Sequence, residues 1–81
     1  MTQWTVLTRH DCTLCEQFIE DLARVLGASE AARVQIVDVD SDPELRRKYG
    51  IRIPVLLADG DFVCQYRVDQ DRLTPYIQGS E

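Results

Sequence analysis

The chain has 81 residues, 44% of them apolar and 28% charged, with a formal charge of −5. That length supports one domain with a single core, and the acidic balance argues against nucleic acid or an anionic membrane surface as partner. Met1-Thr2-Gln3-Trp4 opens without a basic or apolar leader pattern. The longest apolar run, Ile53 to Ala58, falls far short of the ~20 residues that span a bilayer. A cytoplasmic location is therefore expected. Three cysteines do not make a disulfide framework, which needs an even number and an oxidising compartment.

Trp4-Thr5-Val6-Leu7-Thr8 is β-branched and aromatic and predicts a short strand. Leu14, Phe18, Leu22, Val25 and Leu26 then recur at helical spacing, with Glu16, Gln17, Glu20, Asp21 and Arg24 on the opposite side. This predicts an amphipathic helix over 12–26, stopped by Gly27. Cys12-Thr13-Leu14-Cys15 falls in its first turn, where backbone N–H groups lack helical partners and the dipole is positive. A thiolate there is stabilised and reactive near neutral pH. Cys12, at the tip, is placed to act as nucleophile, and Cys15, one turn on, to resolve a mixed disulfide. His10, if protonated, would favour the Cys12 thiolate and the Asp11 carboxylate would oppose it; both could equally be solvent-facing loop residues. A metal site is disfavoured, because one His and one further Cys do not complete four ligands.

Ala28 to Arg33 reads as a connector with room for one helical turn. Residues 34–40 form a nearly continuous apolar run, which predicts a parallel strand covered on both faces. The crossover between the two strands should be right-handed. A second, short helix begins either with Asp42 as cap and Pro43 in its first turn, or with a Ser41/Glu44 capping box. Leu45 and Tyr49 are its inward pair, and Gly50 ends it. Asp38-Val39-Asp40-Ser41-Asp42 starts like a calcium loop but lacks the glycine and glutamate such a loop needs later. Arg46-Arg47-Lys48 reads as a solvated face.

Residues 52–58 and 61–67 are predicted strands joined by Asp59-Gly60, a strong hairpin signal. Counting back from a two-residue turn puts Cys64 opposite Val55 and next to Pro54. There it is either a small buried apolar residue or a third redox thiol. A terminal helix over 69–78 starts at Asp69 or at Asp71, according to where Pro75 can be tolerated. The order β-α-β-α-β-β-α makes a four-stranded mixed sheet flanked by helices, an α/β fold.

Cys12-Thr13-Leu14-Cys15 after the first strand, Ile53-Pro54 at the third and the Asp59-Gly60 hairpin together resemble a minimal thioredoxin fold of the glutaredoxin-like kind. The resemblance implies a cis Ile53–Pro54 bond, with Cys12 the nucleophile and Cys15 the resolving thiol. It implies a thiol–disulfide oxidoreductase that reduces protein disulfides or glutathione mixed disulfides. No cofactor would be bound, glutathione would be a possible cosubstrate, and the protein would work as a monomer. By the same resemblance Arg9 would assist glutathione binding, and the Ile53 backbone beside Pro54 would hydrogen-bond an extended substrate. Two features depart from the pattern. Thr13-Leu14 replaces the usual Pro-Tyr, and the Gly-Gly pair with its acidic follower is missing from Arg67-Val68-Asp69-Gln70-Asp71. Asp69 either takes the acidic role or only caps the helix. The alternative function is a binding module that keeps the fold, with the cysteines as a redox-sensitive pair.

Overall fold

The computed structural model describes residues 2–78. Strand β1 (Trp4–Thr8) leads into α1 (Thr13–Leu26), a single helical turn α2 (Ala28–Ala31) and strand β2 (Gln35–Asp38). A 3-10 turn over Val39–Ser41 and helix α3 (Pro43–Tyr49) follow, then β3 (Val55–Ala58), β4 (Asp61–Gln65) and α4 (Gln70–Gln78). The sheet order is β2-β1-β3-β4, with β1 parallel to β2 and antiparallel to β3, and β3 antiparallel to β4.

Alternation along the strands divides the core between the two faces of the sheet. Trp4, Val6, Leu56, Ala58, Val63 and Cys64 meet Phe18 and Leu22 of α1 and Leu73 of α4 on one face. Leu7, Val55 and Leu57 meet Val39 and Tyr49 on the other, with Leu45 packed against them. Trp4 and Tyr76 add an edge-to-face contact, with ring centroids 5.7 Å apart.

Local sequence rules account for most of the boundaries. Asp42 caps α3 by accepting the Glu44 N–H at 2.9 Å, with Pro43 in the first turn. Ser41 turns back to Asp38 instead, so of the two expected starts the Asp42 cap is the one used. Asp59 and Gly60 both adopt positive φ, 51° and 88°, as a type I′ hairpin turn requires.

Two expectations are corrected. β2 is not covered on both faces: it is one of the two edge strands, and Gln35, Ile36 and Asp38 are exposed. Ile36 faces outward while Val37 packs into the Leu7 and Tyr49 cluster, and the run ends early because Val39 turns into the 3-10 segment. The hairpin register also shifts between Leu56 and Leu57, so Cys64 pairs with Leu56 and Gln65 with Val55. Val63 and Cys64 are consecutive yet both buried in the same cluster, which a regular strand cannot do and a bulge can. Of the two expected starts of α4 the one at Asp69 is used: the helix begins at Gln70, the Asp69 carbonyl accepts from Arg72 and Leu73, and Pro75 lies inside the helix rather than in its first turn.

Candidate functional site

The chain leaves β1 at Thr8 and reverses through His10 and Asp11, whose φ of 58° lies in the left-handed region that aspartate tolerates better than most residues. This turn sets Cys12 at the N-cap of α1 in an extended conformation. Its carbonyl accepts the Glu16 N–H at 3.2 Å and its Sγ accepts the Cys15 N–H at 3.1 Å. The sulfur thus occupies the place a capping oxygen would take, at the positive end of a 14-residue helix. Cys12 and Cys15 are joined as a disulfide, their Cα atoms 5.2 Å apart. Cys12 remains partly exposed while Cys15 is buried at 2%. Cys12 is thus the more accessible of the two.

Two grooves border α1. One, of about 450 Å³, is lined by Cys12 and Cys15 with Thr8, His10, Ile19 and Ile36. The other, of about 560 Å³, runs between Leu14 and Gln17 of α1 and the Tyr66–Val68 segment after β4. Among the described residues no three His, Cys, Asp or Glu side chains gather to hold a metal ion. The aspartates of the calcium-like run are used locally: Asp38 accepts the Asp40 N–H, Asp42 caps α3 and Asp40 pairs with Arg9.

Pairing of Leu7 with Val55 brings the exit of β1 and the entry of β3 to the same end of the sheet. Pro54 is buried there, and the Ile53–Pro54 bond is cis. The Pro54 carbonyl accepts the Tyr66 N–H at 2.8 Å, whereas among the described residues no backbone partner takes the N–H or C=O of Ile53. Tyr66, at φ 68°, also donates its hydroxyl to the Ile51 carbonyl at 3.3 Å. Leu14, Ile51 and Tyr66 are all exposed around this corner. From the sequence Tyr66 reads as core or rim packing with no function, and the local signal for it and for Arg67 is their place just after the last strand.

Arg9 is partly exposed and bonded within the protein: its guanidinium donates to Asp40 and to the Gly50 carbonyl. The Asp40 hydrogen bond, foremost, raises the Arg9 pKa and holds the Asp40 carboxyl below its ordinary value. Asp69 is exposed, with its carboxylate 3.5 Å from Arg72 Nε. Cys64, on the face of the sheet that packs α1 and α4, is 4% exposed, and burial pushes its thiol pKa up. It lines a different groove, with Gln65 and the 67–72 segment, from which Cys12 is absent.

A family profile, the glutaredoxin-like domain (DUF836), matches residues 3–78. The chain belongs to this glutaredoxin-like family. Uncharacterised proteins of Mycobacterium bovis and Mycobacterium tuberculosis are 36% identical over 83 aligned positions, covering 96% of this chain and 84% of theirs. A Nitrosomonas europaea protein solved by NMR superposes with a TM-score of 0.79 at 32% identity, over 93% of this chain and 89% of that one. A crystal structure from X. campestris gives 0.65 at 29% identity, over 96% and 99%. Thioredoxin of Fasciola hepatica, at 23% identity and a TM-score of 0.50 over 99% and 81%, shares the fold. The glutaredoxin-like family and the adjacent cysteine pair together suggest a redox role.

Proposed function

We propose that this protein is a thiol–disulfide oxidoreductase that reduces disulfide-bearing proteins or glutathione mixed disulfides. The observation that carries the reading is the arrangement of the cysteine pair: a partly exposed Cys12 capping α1 above a buried Cys15. In the reduced protein the Cys12 thiolate attacks one sulfur of the substrate disulfide. A Cys12–substrate bond forms, and the other substrate sulfur leaves as a thiolate that takes up a proton. Cys15 then loses its proton and attacks Cys12, expelling the second substrate thiol. Two electrons pass to the substrate, and the protein is left with the Cys12–Cys15 disulfide, the state seen here.

The unpaired backbone of Ile53 beside Pro54 is suited to an extended substrate segment, by the same logic that adds a strand to a sheet edge. Asp69 offers a carboxylate to an ammonium group, in competition with Arg72. Glutathione is the candidate cosubstrate that returns the pair to dithiol. The protein would act as a monomer without a bound cofactor, in a reducing compartment such as the cytoplasm.

Equilibrating the pair against glutathione tests the reading. A potential of about −200 to −230 mV supports glutathione-linked chemistry, and one near about −270 mV supports a thioredoxin-type reductant. Failure of Cys12 and Cys15 to oxidise to a disulfide would remove the enzyme reading in favour of a binding module.

A further inference from the structure

Arg9 joins three segments that are distant in the chain. Its Nε and Nη2 donate to the two carboxylate oxygens of Asp40 at 2.9 and 3.0 Å, and Nη1 donates to the Gly50 carbonyl at 2.9 Å. The first contact spans 31 positions and the last 41. Asp40 takes the fork of the guanidinium side-on, which is the geometry a planar cation offers a carboxylate. The Gly50 oxygen lies past the last turn of α3, where carbonyls have no helical N–H to accept. Gly50 is buried, and a Cβ there would collide with the Arg46 carbonyl and come within 3.3 Å of the Arg9 guanidinium. Glycine at this position is required by the Arg46 carbonyl; against Arg9 Nη2 a Cβ would ask only a small shift of the side chain.

Two of the three anchored segments lead directly into the site. Three residues after Arg9 comes Cys12, and three residues after Gly50 comes Ile53, followed by Pro54. We infer that Arg9 is a positioning residue: with Asp40 it latches the end of α3, and so the Ile53–Pro54 segment, to the loop that presents Cys12. Its charge is met within the protein and is not spare for a glutathione carboxylate. The consequence for activity rests on the proposed oxidoreductase reading; the latch itself does not.

Arg9→Met, Asp40→Asn and the double variant separate a latch from a ligand. Asp40→Asn is nearly isosteric and removes no side chain that could face glutathione. If Arg9 is a latch, Arg9→Met and Asp40→Asn behave alike. Each speeds exchange of the Arg52 amide, which bonds the Tyr49 carbonyl, roughly tenfold or more by freeing local opening. Each also lowers kcat/KM by a similar factor for glutathione mixed disulfides and for bis(2-hydroxyethyl) disulfide, which has no carboxylate. The double variant is no worse than either single one, and Arg9→Lys, which keeps the charge but not the fork, does not restore wild-type behaviour. The inference is overturned if Arg9→Met raises only the glutathione KM while Asp40→Asn lowers it or leaves it unchanged, with Arg52 exchange at the wild-type rate in both. Should the wild-type protein reduce no disulfide at all, the enzyme reading falls, and Arg52 exchange alone decides the latch.

Discussion

Oxidising the Cys12–Cys15 pair should stabilise the fold, by a margin set by two opposed effects. The disulfide closes a loop with a sequence separation of only 3, and the loop-entropy relation gives such a short closure about 1.5–2 kcal/mol. Against it, a Cys12 thiolate in the reduced protein would lie at the N-terminus of α1, where a negative charge gains about 0.3–1 kcal/mol. The entropy effect is the larger, leaving the oxidised form ahead by about 1 kcal/mol, or about 4–8 °C in Tm for a domain of this size. By linkage the fold holds the disulfide as firmly as the disulfide holds the fold. The pair should therefore be about 20 mV more reducing in the folded chain than in the unfolded one, the direction a reductant needs. Urea unfolding of the oxidised and reduced protein, followed by fluorescence of the buried Trp4, measures the difference directly. A reduced form as stable as the oxidised one, or more so, would refute the reasoning. It would show that thiolate stabilisation dominates, as in a protein that donates disulfides.

Three further outcomes are expected. Phe18, 1% exposed between α1 and the sheet, should cost about 3–5 kcal/mol on replacement by alanine, seen as a lower urea midpoint at unchanged slope. Cys64 should resist iodoacetamide in the native reduced protein while Cys12 reacts, because burial both shields its thiol and raises its pKa; mass-mapped alkylation at comparable rates would contradict this. Asp40, whose carboxyl is held below its ordinary value by the Arg9 hydrogen bond, contributes stability that is complete above the unfolded carboxylate range of about 4 and is lost as pH falls through the lower folded value. Wild-type and Asp40→Asn urea midpoints should therefore differ at neutral pH and converge in acid, and a constant gap would be the contrary result.

Much of this architecture is written in short stretches of chain. Trp4–Thr8, the helical spacing from Leu14 to Leu26, Asp42-Pro43 and Asp59-Gly60 each specify their element by local physics, and the structure follows them closely. Cys12, Cys15 and Pro54 were legible for the same reason, since each sits at a junction whose position is counted from its neighbours. What escaped depends on who packs against whom. The apolar run around Ile36 does not reveal that β2 lies at an edge, because composition reports burial only on average. The bulge at Val63 is hidden because Val63-Cys64 fits an alternating pattern in either register until Leu73 and Phe18 claim both side chains for one face. Arg9 was found as a candidate, but its partners lie 31 and 41 positions away, and no local pattern announces an ion pair of that separation.

The central claim is that Cys12 forms the covalent bond to substrate and Cys15 breaks it. Cys15→Ser removes the second step, so the mixed disulfide should accumulate. Incubating the reduced variant with glutathione disulfide and with a disulfide-bonded protein, then mapping the adducts by mass spectrometry, tests it in one experiment. The account predicts a single adduct at Cys12 with at least one of the two, released on adding dithiol and absent from Cys12→Ser. No adduct with either, or an adduct carried by Cys64, would contradict it.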